Sequence, residues 1–492
     1  MKIKQLLGHV KGVGVRGCFK DVDVKRIASD SREVKGGVLF VAVRGPLQDG
    51  HRYIKAAVEK NAAAIVLEDR AFLPAAKTSI PYILVKDSKM ALSRIADAFF
   101  DYPYQRIRCV GMTGTNGKTT VSYLVRSILN TAGMKCGLIG TIGYRIKEAN
   151  MRLQNTTPGV IELHRLIEKM VEAGNPYVAM EVSSHALDQE RIAGMVFKAT
   201  IFTNLTQDHL DYHKTMEEYF FAKKKLFKEY INKETSFIIN EDDFFGRRLL
   251  KSLRGKKFSY GFTSEAKVQG LSFKLDREGS RLTISTPRGQ LDVTTRLVGK
   301  HNLYNILAAV AFGISEAIDF VSIKKGIEGV SSIPGRLERI DSKKGFSVFV
   351  DYAHTDDALK NVLESLRLIL HNGRIITVFG CGGDRDKGKR PKMGGVASRL
   401  SDYCVITSDN PRSEDPGKII EQITRGITKK NFEIEEDRFL AIQKALRMAG
   451  KNDFVLVAGK GHELYQIIKD RVLPFDDRIA VQKIIQEMEK NV

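Results

Sequence analysis

Tryptophan is absent from this chain. That removes the strongest base-stacking side chain, although its 15 Tyr and 25 Phe could still stack on nucleic acid. The five cysteines (Cys18, Cys109, Cys136, Cys381, Cys404) are odd in number, widely spaced and without a Cys-x-x-Cys pair. They exclude a small disulfide scaffold and read as reduced thiols in a cytoplasmic protein. No run approaches the ~18 apolar residues a membrane span needs, so no membrane insertion is expected. Residues 1–15 are broken by Lys2, Lys4, His9 and Lys11, which leaves no apolar region of the signal-peptide kind. Internal repeats, low-complexity linkers, a basic tail and an isolated basic helix are all missing.

What is present is a chain of 492 residues, 43% hydrophobic and 28% charged. This composition excludes disorder and collagen and supports large cores. At roughly 150 residues per domain it predicts about three domains. The net charge is +21, spread as +8 over residues 1–107, +9 over 108–335 and +4 over 336–492. An even spread argues against a dedicated nucleic-acid module and fits several anion sites on a folded enzyme.

Short β-rich runs alternate with helical runs, which predicts α/β domains. Strands are expected at 38–43, 63–67 and 82–85, then a helix at 90–100. A buried strand at 108–112 leads into a glycine-rich turn. A helix follows with Val121, Leu124, Val125, Ile128 and Leu129 on one face, the spacing of an amphipathic helix. Strands are expected at 177–180, 200–203 and 237–239. Residues 258–298 read as a β-rich insertion with turns at Gly270, Gly279 and Gly289, closed by a helix at 302–313. Ser332-Ile333-Pro334-Gly335 marks a domain boundary. Beyond it, strands at 347–350, 375–379, 403–407 and 454–457 each run into a polar or glycine-rich motif. Ligands of open α/β sheets sit at such strand ends.

Gly114-Thr115-Asn116-Gly117-Lys118-Thr119-Thr120 lies between strand and helix. Its glycines let backbone N–H groups wrap a phosphate at a helix N-terminus. Lys118 would reach the β/γ-phosphates and Thr119 a Mg²⁺ ion. The strict pattern puts glycine at position 112, where this chain has Met112. Glu181 follows an apolar strand, as a Mg²⁺-binding acid after such a loop often does.

The loop resembles the ATP loop of the Mur ligases, which make amide bonds in peptidoglycan precursors. Glu181-Val182-Ser183-Ser184-His185 and Thr206-Gln207-Asp208-His209-Leu210-Asp211-Tyr212-His213 resemble the family's next two motifs, in order. The resemblance implies an α/β, three-domain Mur ligase architecture with a central P-loop ATPase-like domain and a C-terminal Rossmann-like domain. It implies a UDP-sugar-binding domain at 1–107, an ATP-binding domain at 108–335 and an amino-acid-binding domain at 336–492. Glu181 and Thr119 would hold one Mg²⁺ and His209 would help hold a second, with His185 and His213 positioning or structural. Tyr219-Phe220-Phe221-Ala222-Lys223-Lys224-Lys225 is similar to the stretch in which one lysine is carbamylated, and the register selects Lys223. Read without the family, the three lysines are a solvated helix face. Asn302, in His301-Asn302-Leu303-Tyr304-Asn305, matches a nucleotide contact, or caps its helix. Arg336, Asp351 and His354 match positions that the third domain presents to ATP.

Within the family, the C-terminal motifs resemble the branch that adds the third residue of the peptide stem to UDP-N-acetylmuramoyl-L-alanyl-D-glutamate. Asp409-Asn410-Pro411-Arg412 has the form seen where that residue is meso-diaminopimelate; lysine-adding relatives lack the arginine. Diaminopimelate is lysine-like with an extra distal carboxylate, to which Arg412 offers a bidentate fork. A buried arginine left unpaired by lysine discriminates by on the order of several kcal/mol. Gly459 and Glu463 would contact the amino acid and Arg390 clamp its carboxylate. Ser29, Ser31 and the 43–50 loop match the uridine-nucleotide site; Asn155, Thr156, Thr157, Ser183, Gln189 and Arg191 match the muramyl-dipeptide contacts. The expected substrates are thus ATP, the UDP-sugar dipeptide and meso-diaminopimelate, with Mg²⁺ as cofactor, no nucleic acid, and a monomer as the working unit. The rivals are the same reaction with L-lysine, a folate-glutamylating ligase, and a nucleic-acid-stimulated ATPase.

Overall fold

The computed structural model describes residues 1–8, 10, 14–16, 21–45, 48–74, 79–147, 149–151, 153 and 155–490. Cys18, and Pro46 and Leu47 of the 43–50 loop, lie outside them. Three largely parallel sheets carry the chain. The first has the order Gly14–Arg16, Tyr82–Leu84, Ala64–Leu67, Val38–Val41, Arg26–Ala28; only the Gly14–Arg16 edge is antiparallel. Val38–Val41 and Ala64–Leu67 are buried at every position, which is why they read as continuous apolar runs rather than alternating ones. The helix Ser88–Phe99, capped by the Asp87 carboxylate, packs on this sheet's core.

The central sheet has eleven strands. Near its middle, the strand Arg108–Thr113 pairs in parallel with Tyr177–Glu181 on one side and Phe197–Phe202 on the other. Ser236–Asn240 and Lys256–Gly261 continue the parallel run. The carboxyl ends of these neighbours therefore bring Gly114, Glu181, Thr203 and Asn240 to one edge. Cys136–Gly140 and the short strands Gly143–Ile146 and Ala149–Met151, not anticipated above, complete the other side.

The β-rich segment after 258 is not a separate insertion. Val268–Asp276 adds to the central sheet in parallel through Tyr260 and Gly261, and the antiparallel Gly279–Thr286 and Gly289–Thr295 follow it. Gly279 and Gly289 begin strands just after two-residue turns. Gly270 does not turn the chain: it lies inside a strand at a register shift, where a Cβ would sit 2.5 Å from the Phe262 ring. Close packing, not reversal, is the reason for that glycine.

The third sheet runs Glu338–Asp341, Ser347–Asp351, Phe454–Ala458, Ile375–Phe379, Tyr403–Ile406, Phe432–Ile434, parallel except at its first edge. A hairpin, Tyr465–Ile468 with Arg471–Pro474, stands beside it. Among the described residues no helix is long and apolar enough to cross a membrane.

Beneath the strand end at Ala458, Arg438 and Asp477 form an ion pair with both side chains fully buried, Nη2 to Oδ2 2.7 Å. Arg438 Nη2 also donates to the Ala458 carbonyl at 3.0 Å. The pair joins the helices Arg438–Met448 and Asp477–Lys490 under the loop that continues to Gly459. Removing one partner strands a buried charge. Asp477→Ala should therefore lower the unfolding free energy by about 3–5 kcal/mol, read from the denaturant midpoint; a loss below about 1 kcal/mol would show that Arg438 finds compensation elsewhere.

Candidate active site

A cavity of about 960 Å³ opens where the central and third sheets meet. The 114–120 loop forms its floor. Gly117 has φ +88°, and a side chain there would collide with the Asn305 amide. The segment after the neighbouring strand splints the loop. Thr203 Oγ1 donates to the Asn116 carbonyl (2.6 Å), the Asn116 N–H donates to Asn204 Oδ1 (2.9 Å), and the Thr206 N–H donates to Thr115 Oγ1 (3.0 Å). Thr203 and Asn204 were invisible as site residues in the sequence, because they act only across a strand pair.

Two ammonium groups converge on one carbonyl. Lys118 Nζ and Lys223 Nζ donate to Gly114 O at 2.9 and 2.8 Å, and Lys118 also reaches Thr115 O at 2.8 Å. Lys223 is 1% exposed and lies over the Tyr219 ring at 4.5 Å. Burial, then the Lys118 charge, pushes its amine well below the usual lysine value. Burial also lowers Lys118, against the pull of Glu181. The run of three lysines is therefore not a uniform solvated face: Lys223 points inward.

Glu181 is 1% exposed. Thr141 holds both its oxygens, the N–H to Oε1 and the hydroxyl to Oε2, each at 2.9 Å. Across the cavity, Arg336 Nη2 donates to Thr119 Oγ1 at 3.2 Å while its guanidinium lies 4.8 Å from the Tyr352 ring centre. His209 lies beside Asp208 (3.5 Å) and meets His185 edge to face at 4.8 Å; burial pushes its imidazole down to about 4. His185 and His213 pack in the same ring cluster with Tyr212 and Tyr219. Thr119, Glu181, His209 and Lys223 all line the cavity. Among the described residues no three His, Cys, Asp or Glu converge into a metal cage. A hydroxyl and one carboxylate beside a phosphate loop fit Mg²⁺, which keeps waters and leans on substrate phosphates.

The dipeptide candidates are partly linked to this wall. Thr156 Oγ1 lies 3.1 Å from Thr141 Oγ1. Thr157 Oγ1 donates to the Glu181 carbonyl (2.9 Å) and accepts from the Ser183 N–H (3.0 Å). Arg191 donates to Thr157 O (3.0 Å) and grips Gln189 Oε1 with Nε and Nη2 (2.9 and 2.6 Å). Asn155 is exposed. Ser29 and Ser31 belong to the first-sheet region and do not line the cavity.

In the third region, Asp409 and Asn410 are buried and Arg412 half-buried at a strand end. Asn410 Nδ2 donates to Glu463 Oε2 (2.8 Å). The fully buried Lys460 donates to Asn410 Oδ1 (3.1 Å) and Glu463 Oε2 (3.2 Å). A Cβ on Gly459 would sit 2.6 Å from Asp409 Oδ2. Burial, then Asp409, raises the Glu463 carboxyl. Arg412 has φ +51° and donates Nη1 to Gly383 O at 2.6 Å.

Residues 23–100 match the Mur ligase family catalytic domain, 112–313 the Mur ligase middle domain and 335–461 the Mur ligase glutamate ligase domain. The chain is 46% identical over 463 residues to the UDP-N-acetylmuramoyl-L-alanyl-D-glutamate–2,6-diaminopimelate ligase of Aquifex aeolicus, covering 94% of each. It is 41% identical over 490 residues to the Clostridium tetani protein of that name, covering 99% of this chain and 100% of that one. This chain belongs to the Mur ligase family. A solved structure of a UDP-N-acetylmuramoyl-L-alanyl-D-glutamate–2,6-diaminopimelate ligase superposes with a TM-score of 0.67 at 30% identity, covering 95% of each chain.

Three expectations shift within this Mur ligase. Asn302 does not line the cavity; its amide donates to Val298 O (2.8 Å) and its Oδ1 accepts from Asn305 (2.9 Å). Asn305 is the amide that faces the loop. Asp351 lines the cavity, but its oxygens accept from the Leu337 and Ala353 N–H groups (2.6 and 2.7 Å), so it shapes the backbone around Arg336. His354 also lines the cavity, with Nδ1 2.8 Å from Tyr352 O. Arg390 is fully buried and bonded to both Glu414 oxygens, Gln422 Oε1 and Gly382 O. It is a framework group, because its Nη donors already have partners. Arg385 is the exposed arginine of the same motif, and with Arg412 it flanks Gly382.

Gly117→Ala should weaken ADP binding by at least about tenfold, since a Cβ strains the phosphate loop and strikes the Asn305 amide. Unchanged ADP affinity by calorimetry would contradict the loop assignment.

Proposed function

We propose that this chain is the Mur ligase that joins meso-diaminopimelate to UDP-N-acetylmuramoyl-L-alanyl-D-glutamate, using ATP. The observation that carries the choice is the polarity of the 409–412 and 459–463 loops. Asp409 and Glu463, the latter already 3.2 Å from the Lys460 ammonium, would offer carboxylates to the amine of the diamino acid. Arg412, with the exposed Arg385 beside it, offers a fork to a carboxylate. The distal carbon of diaminopimelate bears both groups, whereas lysine bears only the amine. The names of the relatives support the same choice.

Residues 1–107 would bind the UDP-sugar, 108–335 ATP and 336–492 the amino acid, with Ser29 and Ser31 toward the nucleotide. Asn155, Thr156, Thr157, Ser183, Gln189 and Arg191 would orient the dipeptide. The D-glutamate side-chain carboxylate attacks the γ-phosphorus, ADP departs, and an acyl phosphate remains. The diaminopimelate amine then attacks the acyl carbon, and the tetrahedral intermediate collapses to amide and phosphate. Lys118 and Arg336 approach the transferring phosphoryl from two domains and stabilise its charge. Mg²⁺, when bound, neutralises phosphate charge; Thr119, Glu181, His209 and Lys223 would hold it. Lys223 suits this role only after its neutral amine adds CO₂ and loses a proton, which turns a cation into an anionic oxygen ligand. The low proton affinity of this amine supports that step. Four buried free thiols and the use of ATP support a cytoplasmic location, and subsites carried on one chain support a monomer.

Product mass after incubation with the UDP-sugar dipeptide and each diamino acid tests the reading; a lysine adduct in preference to the diaminopimelate adduct would overturn it. Arg412→Ala should raise the diaminopimelate KM by roughly a hundredfold and the ATP KM by less than about threefold, measured by phosphate release. Equal effects would remove Arg412 from specificity. Lys223→Ala should abolish ligation, with partial recovery on adding acetate or formate; full activity without addition would refute the carbamate role.

A further inference from the structure

The helix Met216–Lys224 turns Lys223 inward to the cavity, and its outer side is built for something else. Phe221 is 54% exposed there, and Phe244, which opens the helix Phe244–Ser252, is 61% exposed. Lone exposed rings are ordinary on a protein surface, but these two are the ends of one row. Ring centres of Phe221 and Phe220 lie 5.9 Å apart, those of Phe220 and Phe245 5.1 Å, and those of Phe245 and Phe244 5.2 Å. The two inner rings, with Leu249 and Leu253, fasten the row to the core. Cations lie along it. Lys224 Nζ sits over the Phe221 ring and the Arg248 guanidinium over the Phe244 ring, each at 5.8 Å.

Residues 244–257 hold six Lys and Arg and no Asp or Glu. They do not make an isolated basic helix, because Gly246 and Leu249 are buried against the central domain. Phe244, Arg247 and Lys251, at i, i+3 and i+7, share the exposed side. Two of the six cations are answered: Arg248 by Glu217 (2.6 and 3.0 Å) and Lys256 by Glu234 (2.7 Å). Of the acids before the helix, Asp243 caps it, Asp242 accepts from the Tyr304 hydroxyl and two backbone N–H groups, and Glu241 is half-buried. Exposed Glu218 and Glu229 are balanced in number by Lys224 and Lys228. Arg247, Lys251, Arg254 and Lys257 make no ion pair among the described residues. Neither these four nor Phe221 and Phe244 line the active-site cavity.

We propose that this row of rings and its excess cations form a docking surface for an anionic lipid bilayer, on which the protein lies without crossing it. The match is one of charge and polarity together. Anionic headgroups attract the unpaired cations, and the exposed rings enter the boundary between headgroups and acyl chains. A single-stranded nucleic acid would instead stack its bases on open ring faces, and here one face of each exposed ring already meets a cation. The proposal goes beyond the ligase reading and does not depend on which amino acid is joined.

The test is cosedimentation of the full chain with vesicles of about 40% phosphatidylglycerol in phosphatidylcholine, against phosphatidylcholine alone. The partition coefficient should be at least about tenfold higher on the anionic vesicles, and should fall about tenfold or more between ~0.1 M and ~0.5 M salt. Arg247→Glu with Lys251→Glu should lower it by about tenfold or more, and Phe221→Ser with Phe244→Ser by about fivefold or more. Wild-type ADP affinity in each variant checks its fold; if the double serine variant fails that check, Phe244→Gln alone carries the aromatic arm. Equal partitioning onto both vesicles, no partitioning, or full partitioning in a folded charge or aromatic variant overturns the proposal. Binding of a single-stranded oligonucleotide that depends on Phe221 and Phe244, without binding to vesicles, gives the surface to nucleic acid and overturns it too.

Discussion

Lys118 and Lys223 share the carbonyl oxygen of Gly114, and the rest of the site is arranged around that crowded pair. Two lysine amines, Lys223 buried and Lys118 half-buried, meet one neutral acceptor, and burial disfavours charge without a counterion. Arg336 adds a third cation from the neighbouring domain at Thr119. Glu181 supplies a buried carboxylate, held by Thr141 rather than by any of these cations. In the proposed reaction a triphosphate would supply negative charge, and a carbamate on Lys223 would convert one of the cations into part of the answer.

The cavity exists only where two sheets meet. Asn116 of the loop donates to Asp357 at 3.3 Å, and Lys389 donates to the His354 carbonyl at 2.8 Å, so the third region is tied both to the loop and within itself. Its 409–412 and 459–463 loops have carboxylates on one side, with Arg412 and Arg385 on the other. The protein's excess of positive charge is consistent with meeting pyrophosphate, triphosphate and carboxylates, but most of it lies outside these contacts and has no structural account. The buried Arg438–Asp477 pair underlies the loop that carries Gly459.

Much of the site was legible before any fold was known. A phosphate loop announces itself by glycine spacing beside a lysine and a hydroxyl, and Glu181 by its place after an apolar strand. Other assignments failed in a consistent way. Asn302 and Asn305 are three residues apart on one helix, and composition does not say which amide turns to the loop. Arg390 and Arg385 stand in one motif, and only the folded partners of Arg390, namely Glu414, Gln422 and the Gly382 carbonyl, show that it is the buried one. Gly270 read as a turn because a glycine needed for close packing looks the same in sequence as one needed for reversal. The 268–295 strands read as an insertion because pairing to Lys256–Gly261 is an edge contact without a local signature.

The sequence by itself determined the class of chemistry and the order of its parts, since phosphate wrapping, oxygen ligation and carboxylate recognition each demand particular residue types at short spacing. Tertiary structure alone decided which member of each pair faces the cavity, that Lys223 points inward while its neighbours do not, and that Thr141 holds both oxygens of Glu181. The physical reason is separation along the chain. Local spacing encodes contacts within a turn or two, whereas the contacts that join residue 116 to 357 and 119 to 336 arise only when sheets formed from distant segments pack together.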